Sequence, residues 1–136
     1  MPESTIVVVV KGIIQYNKKT LIIKRALTDE FGGGTWEFTG GKIDFGEALE
    51  TALQREVKEE VGLEVTVKDL LYATEFETHP HRQLVILCYL CEAQTERVTL
   101  SEEHSDYLWA DETQMREMLV SGIVADLDKY QIWGKL

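Results

Sequence analysis

Between Gly41 and Leu63 the chain reads Gly41-x5-Glu47-x7-Arg55-Glu56-Val57-x-Glu59-Glu60-x-Gly62-Leu63. Residues three and four apart share a helix face, so in a helix Glu56, Glu59 and Glu60 crowd into an arc of about 100°. Leu53, Val57 and Val61 form an apolar stripe beside that arc, which lets the helix dock on a sheet while its carboxylates border a cleft. Like charges this close repel. Nothing basic is expected in the same arc, because Arg55 is only one residue from Glu56 and belongs to another face. A divalent cation, which takes hard oxygen ligands, relieves the repulsion. The helix is expected from about Glu47 to Val61, capped by Asp44 or Gly46 and stopped by a left-handed Gly62.

The flanking segments predict strands. Thr5 to Gln15 is a β-branched run, Tyr16-Asn17-Lys18-Lys19 a turn, and Thr20 to Arg25 the returning strand of a hairpin. A flexible glycine loop within Asp29 to Thr35 leads to the short strand Trp36-Glu37-Phe38. Val65 to Phe76 and Gln83 to Ala93 form two more strands, joined by the turn His79-Pro80-His81, and Asp106 to Ala110 forms another. Helical patches begin at Asp111, with Glu112 in the first turn, and near Ala125 to Tyr130. Strands interleaved with helices imply a layered α/β architecture. With 136 residues, 44% of them hydrophobic, the chain suits one domain spanning residues 1–136.

A net charge of −10 and a pI near 4.7 argue against a nucleic-acid polymer as partner, since that role needs a basic stripe to displace counterions. Small anions remain accessible if a metal carries the charge. No apolar run approaches bilayer length, and Met1-Pro2-Glu3-Ser4-Thr5 lacks the features of a secretory signal; a cytoplasmic protein without a membrane partner is expected. Cys88 and Cys91 form C-x-x-C, but three apart on a strand they point to opposite faces and are expected as buried, reduced thiols. Homodimers are the commonest soluble oligomers, and a homodimer stays open here, although no interface patch is marked.

The segment from Gly41 to Leu63 resembles the Nudix box across its full 23-residue span, without departure. The chain is therefore identified as a member of the Nudix hydrolase family. The resemblance implies the Nudix fold, an α/β/α sandwich around a mixed β-sheet. It also implies metal-dependent hydrolysis of a phosphoanhydride in a nucleoside triphosphate or related nucleoside diphosphate derivative, with Mg2+ as the metal and Mn2+ as a substitute. Glu56, Glu59 and Glu60 are the expected ligands, joined by the carbonyl of Gly41, where the lack of a side chain lets backbone approach the metal. By resemblance Arg55 holds a box glutamate in a bidentate contact. For Glu47 a favourable helix-dipole position and an outer role at the metal stand level. The general base is expected in Leu100 to Asp106. Glu103 is the first candidate, on the position of a catalytic glutamate in the antimutator branch, and Glu102 the second. His104 is read as a solvated loop residue, and His79 and His81 as surface residues.

The stretch Trp36-Glu37-Phe38-Thr39-Gly40-Gly41-Lys42 resembles the branch that removes oxidised nucleotides such as 8-oxo-dGTP, with Thr39 where those enzymes usually have proline. The asparagine that some members use to read a purine has no counterpart in the C-terminal third. Lys24 and Arg25 are candidates for phosphate contacts, and Trp36, Phe38, Tyr72 and Phe76 for base stacking. Two alternatives stay open: hydrolysis of ADP-ribose, a nucleotide sugar or a dinucleoside polyphosphate, and a non-catalytic nucleotide-sensing domain.

Overall fold

In the computed structural model, which describes residues 3–29 and 32–136, the β-branched segment forms the central strand β1 (Thr5–Tyr16). Two expectations fall partly outside the described residues: the N-terminal reading at residues 1–2 and the glycine loop at residues 30–31. Asn17 and Lys18 take the left-handed conformation, with φ of 52° and 64°, and Tyr16 already pairs with Lys19. The hairpin turn is thus two residues rather than four, the length whose twist matches that of the strands. The chain returns as β2 (Lys19–Arg25). Gly32 and Gly34 also have positive φ, and the Thr35 amide closes a turn on the Gly32 carbonyl.

Next come β3 (Trp36–Glu37), β4 (Thr39–Lys42), helix α1 (Leu49–Val61), and the long hairpin β5 (Val65–His79) and β6 (Arg82–Ala93). That hairpin turns on Pro80 and His81 alone, so both strands extend beyond the expected Phe76 and Gln83. The chain ends with β7 (His104–Ala110), α2 (Glu112–Met118), α3 (Ser121–Lys129) and a 3-10 turn at Trp133–Lys135. Seven strands make one sheet in the order β3-β2-β1-β6-β5, with β4 paired to β1 and β7 to β2. Among the strands of the described residues β1 and β6 run parallel and the other strand pairings are antiparallel, so the sheet is mixed. At its outer edge β5 carries Lys68, Asp69, Glu75 and Glu77 and several register shifts against β6, features that discourage strand addition.

Alternation along β1 divides the core. Val10 and Ile14 point to the α1 side, where they meet Leu53, Val57 and Val61, all fully buried; Ile13 points to the other side, with Phe38, Tyr72 and Leu127. Helix α1 therefore covers one face and α2 and α3 the other, giving the expected α/β/α sandwich. Cys91 belongs to the first cluster and Cys88 to the second. Both are free, and burial pushes each thiol up to about 12.

The start of α1 differs from expectation. Asp44 to Glu47 closes a turn of its own, with the Glu47 amide donating to the Asp44 carbonyl at 3.0 Å and the Asp44 amide to Glu47 Oε1 at 2.9 Å. Because the would-be cap is used in that turn, helix begins only at Leu49, after an Ala48 without a side-chain cap. Gly62 ends it as expected, at φ 71°, its amide bonded to the Lys58 carbonyl. Asp111 starts α2 through a reciprocal capping box with Gln114. Helix α3 begins four residues before the expected Ala125, because Ile123 and Leu127, one turn apart, both pack into the second cluster. Leu53→Ala, which empties a fully buried site under α1, is expected to lower the unfolding free energy by about 2–5 kcal/mol, measured by urea denaturation.

Candidate active site

Two glycines on β4 create the floor of the acidic end. Gly40 pairs with Lys11 and Gly41 with Val10, and a Cβ on Gly40 would run into the Val10 carbonyl oxygen. A Cβ on Gly41 would fall on the carboxyl group of Glu56. One turn further along α1, Glu60 Oε1 accepts the Gly40 amide at 3.0 Å. Two carboxylates of one helix face thus rest on strand backbone that is bare of side chains. Glu59, 59% exposed at its side chain, stands outside them.

Arg55 corrects the expectation that nothing basic offsets this arc. Its Nε and Nη2 grip Glu47 at 2.7 and 2.9 Å, and its Nη1 reaches Glu56 at 3.0 Å and Glu59 at 3.4 Å. The Lys42 carbonyl accepts a further bond from Nη2 at 3.2 Å. Backbone spacing does put residues 55 and 56 on different faces, but a guanidinium is long enough to curl across, and its planar fork matches Glu47 bidentately. The Arg55 hydrogen bond, aided by the Asp44 amide, holds Glu47 down to about 2. Arg55 itself is raised, chiefly by Glu47.

Burial dominates the other two. It raises Glu56, where Arg55 opposes it while Glu59 and Glu103 add to it. It pushes Glu60, 8% exposed, up to about 7 against the pull of Lys11, His104 and the Gly40 amide. Among the described residues no three His, Cys, Asp or Glu side chains are gathered as a ready-made cage. The donor set still suits a hard dication. Its oxygens are carboxylates that burial makes reluctant to ionise, beside a carbonyl-bearing strand where Gly41 leaves room. Glu56, Glu59, Glu60 and the Gly41 carbonyl are the groups that could hold one.

A second cluster was not read from the sequence. Glu37, 14% exposed at its side chain, receives Lys11 Nζ at 3.3 Å, Arg25 Nη1 at 3.3 Å and His104 Nε2 at 3.0 Å. Burial opposes its ionisation, but Lys11, the His104 hydrogen bond and Arg25 outweigh it and hold Glu37 at about 2. One signal was present: Lys11 interrupts an otherwise apolar strand, and a lysine in such a place needs a buried acceptor. His104 corrects the expectation of a solvated loop residue, being 7% exposed. Register explains the difference. Lys24 pairs with Asp106 but Arg25 with His104, a bulge that turns His104 onto the face of Arg25. His79 and His81 are exposed, as expected.

The remaining candidates divide. Glu103 lines the same end of the cleft as Gly41, Glu56 and Glu60, whereas exposed Glu102 is not among the lining residues. Trp36, Phe38, Tyr72 and Phe76 line the rest, Phe38 as a buried floor and Phe76 half-exposed. Arg25 reaches the cleft, but its guanidinium is committed to Asp29 and Glu37. Lys24, the register partner of Trp36 and Asp106, is not among the residues that line it.

Comparison with known proteins agrees with this geometry. A profile of the NUDIX domain matches residues 6–127. This chain belongs to the NUDIX family. The nucleoside triphosphatase NudI of Enterobacter sp. (strain 638) is 32% identical to it over a region covering 74% of this chain and 79% of the relative. NudI of Escherichia coli O139:H28 is 26% identical with the same coverage. The crystal structure of the MutT protein from Methanosarcina mazei Go1 superposes with a TM-score of 0.86 at 23% identity, covering both chains in full, a likeness of fold. NUDIX hydrolases act on small nucleotides and generally use divalent ions such as Mg2+. No helix among the described residues of this NUDIX protein is long and apolar enough to cross a membrane.

The raised Glu60 makes stability depend on pH. A carboxyl with a higher pKa folded than unfolded binds its proton more tightly in the native state, so its contribution is complete below its ordinary value of 4.5 and is lost as pH rises to about 7. In chelator, wild-type stability is expected to fall relative to Glu60→Gln by on the order of 3 kcal/mol across that window. Parallel pH profiles of the two proteins in urea unfolding would overturn the assignment.

Proposed function

We propose that this NUDIX protein hydrolyses a phosphoanhydride bond of a nucleoside triphosphate, or a related nucleoside diphosphate derivative, in the cytoplasm, with Mg2+ held by Glu56, Glu59, Glu60 and the Gly41 carbonyl. Mn2+ is the expected substitute. The reading rests above all on one observation: the buried carboxylates of Glu56 and Glu60 lie on bare glycine backbone at the end of a cleft that Glu103 also lines. Bound divalent ions supply charge neutralisation of the phosphate oxygens and activation of water.

The protein's own groups carry the rest. Arg55 keeps Glu47 ionised, and on Glu56 it opposes the effect of burial and fixes the orientation of the carboxyl group. Glu103, exposed and one residue from a sheet anchor, takes the proton of the attacking water; Glu102 is the reserve candidate. The partly exposed Trp36 stacks on the base above the Phe38 floor. Oxidised nucleotides such as 8-oxo-dGTP belong in the first test panel because of the resemblance around Trp36 to Lys42. The NudI relatives, named as nucleoside triphosphatases, favour triphosphates over ADP-ribose or nucleotide sugars.

Incubation with nucleoside triphosphates and Mg2+ is expected to release pyrophosphate and the monophosphate, and EDTA to stop it. Glu59→Gln should lower kcat by roughly 10²-fold or more while the circular dichroism spectrum stays unchanged, because its side chain is exposed. Near-wild-type turnover by that variant removes Glu59 from the ligand set. AMP release from ADP-ribose without triphosphate turnover would transfer the protein to the alternative substrate class.

A further inference from the structure

The turn that carries Glu103 is held at three points. On one side the Ser101 amide donates to the Glu60 carbonyl at 2.9 Å, tying the turn to α1. On the other, His104 enters β7 and its Nε2 meets Glu37 Oε2 at 3.0 Å. Within the turn the His104 amide bonds to the Ser101 carbonyl at 3.3 Å, and the third tether comes from Ala26, just beyond β2, whose amide donates to the Glu103 carbonyl at 3.0 Å. Glu102 and Glu103 are the two residues between these anchors.

On the sheet side the backbone holds through Ala26 and the Arg25–His104 pairing, and the side-chain part of the anchor depends on one carboxylate. Ionised Glu37 can only accept, so Nε2 is the imidazole nitrogen that carries the hydrogen. The other nitrogen, Nδ1, is buried and has no hydrogen-bond partner among the described residues. Glu37 is therefore the polar contact that orients this ring. The same carboxylate also takes Lys11 from β1 and Arg25 from the end of β2, locking three strands at the point where the bulge redirects β7.

We propose that Glu37 is a positioning residue for the hydrolysis assigned above: acting through His104, it fixes the turn so that Glu103 faces Glu56 across the cleft. The inference rests on the hydrolase reading and on Glu103 as the base. It differs from a purely structural role in predicting that Glu37 matters to turnover only while Glu103 is present.

A double-mutant cycle reads this directly. In the full-length protein with saturating Mg2+, Glu37→Gln is expected to lower kcat roughly 10- to 100-fold, with KM and the Mg2+ midpoint changed by less than about threefold. Added to Glu103→Gln, it should cost no more than about a further threefold. Full multiplication of the two losses, or a rise in KM at unchanged kcat, overturns the proposal. Should Glu37→Gln not fold by circular dichroism, His104→Phe takes its place in the same cycle, with the same non-additivity expected; wild-type turnover by that variant overturns it equally. A wild-type protein silent on every nucleotide sinks the hydrolase reading itself. An active wild type whose Glu103→Gln variant keeps its rate sinks the base assignment and this inference with it.

Discussion

The contact between two helix carboxylates and side-chain-free strand backbone is the constraint on which the other features of the site depend. Because Gly40 and Gly41 have no Cβ, Glu56 and Glu60 can lie against β4. Any side chain at position 41 would occupy the space of the Glu56 carboxyl group, and one at position 40 would press β4 off β1. The same closeness removes the carboxylates from water and raises both of them. The geometry that makes room for a metal is thus also what makes the metal-free site electrostatically costly.

Two cationic arrangements moderate that cost, and they act on different carboxylates. Arg55 gathers Glu47, Glu56 and Glu59 on the exposed side of α1. Lys11, Arg25 and His104 gather around Glu37 on the sheet side, and of these Lys11 and His104 lower Glu60 from a distance. Glu37 is consequently held well below the usual carboxylate range while Glu60, lining the same cleft, is raised. A chain with net charge −10 achieves this by placing a few cations where acids are buried, leaving most of its acidic residues to water.

What could be read from the sequence follows the range of the interaction concerned. The carboxylate arc, the apolar stripe of Leu53, Val57 and Val61, and the Gly62 stop are set by helix periodicity and local backbone, and all three stand in the structure. The opposed faces of Cys88 and Cys91 follow from strand alternation in the same way. The bidentate contact of Arg55 with a box glutamate was expected by resemblance and is present on Glu47; its reach to Glu56 and Glu59 escaped the reading of helix faces because residue spacing locates Cα atoms, whereas a guanidinium acts some distance from its own. His104 escaped because a single bulge in β7 inverts the alternation on which any reading of faces relies. The Glu37 cluster joins residues 11, 25, 37 and 104 across four strands, a pairing that only the sheet order creates.

The same distinction separates the chemistry from the choice of substrate. Most groups proposed for bond cleavage lie within or beside one contiguous segment on the α1 face. The apolar part of the remaining lining includes Tyr72 and Phe76 on β5, Ile86 on β6, Ile123 on α3 and Trp36 on β3, positions whose apolar character is shared with ordinary core. Substitutions among them can reshape the pocket for a different base or leaving group without moving Glu56 or Glu60, since no backbone is shared between the two ends apart from the β3–β4 stretch. Glu37 sits in that stretch, directly between Trp36 and Phe38, so a change of base preference that shifts β3 also acts on the anchor of the Glu103 turn. Residue 37 therefore touches both the apolar end of the cleft and, through His104, the segment that carries Glu103.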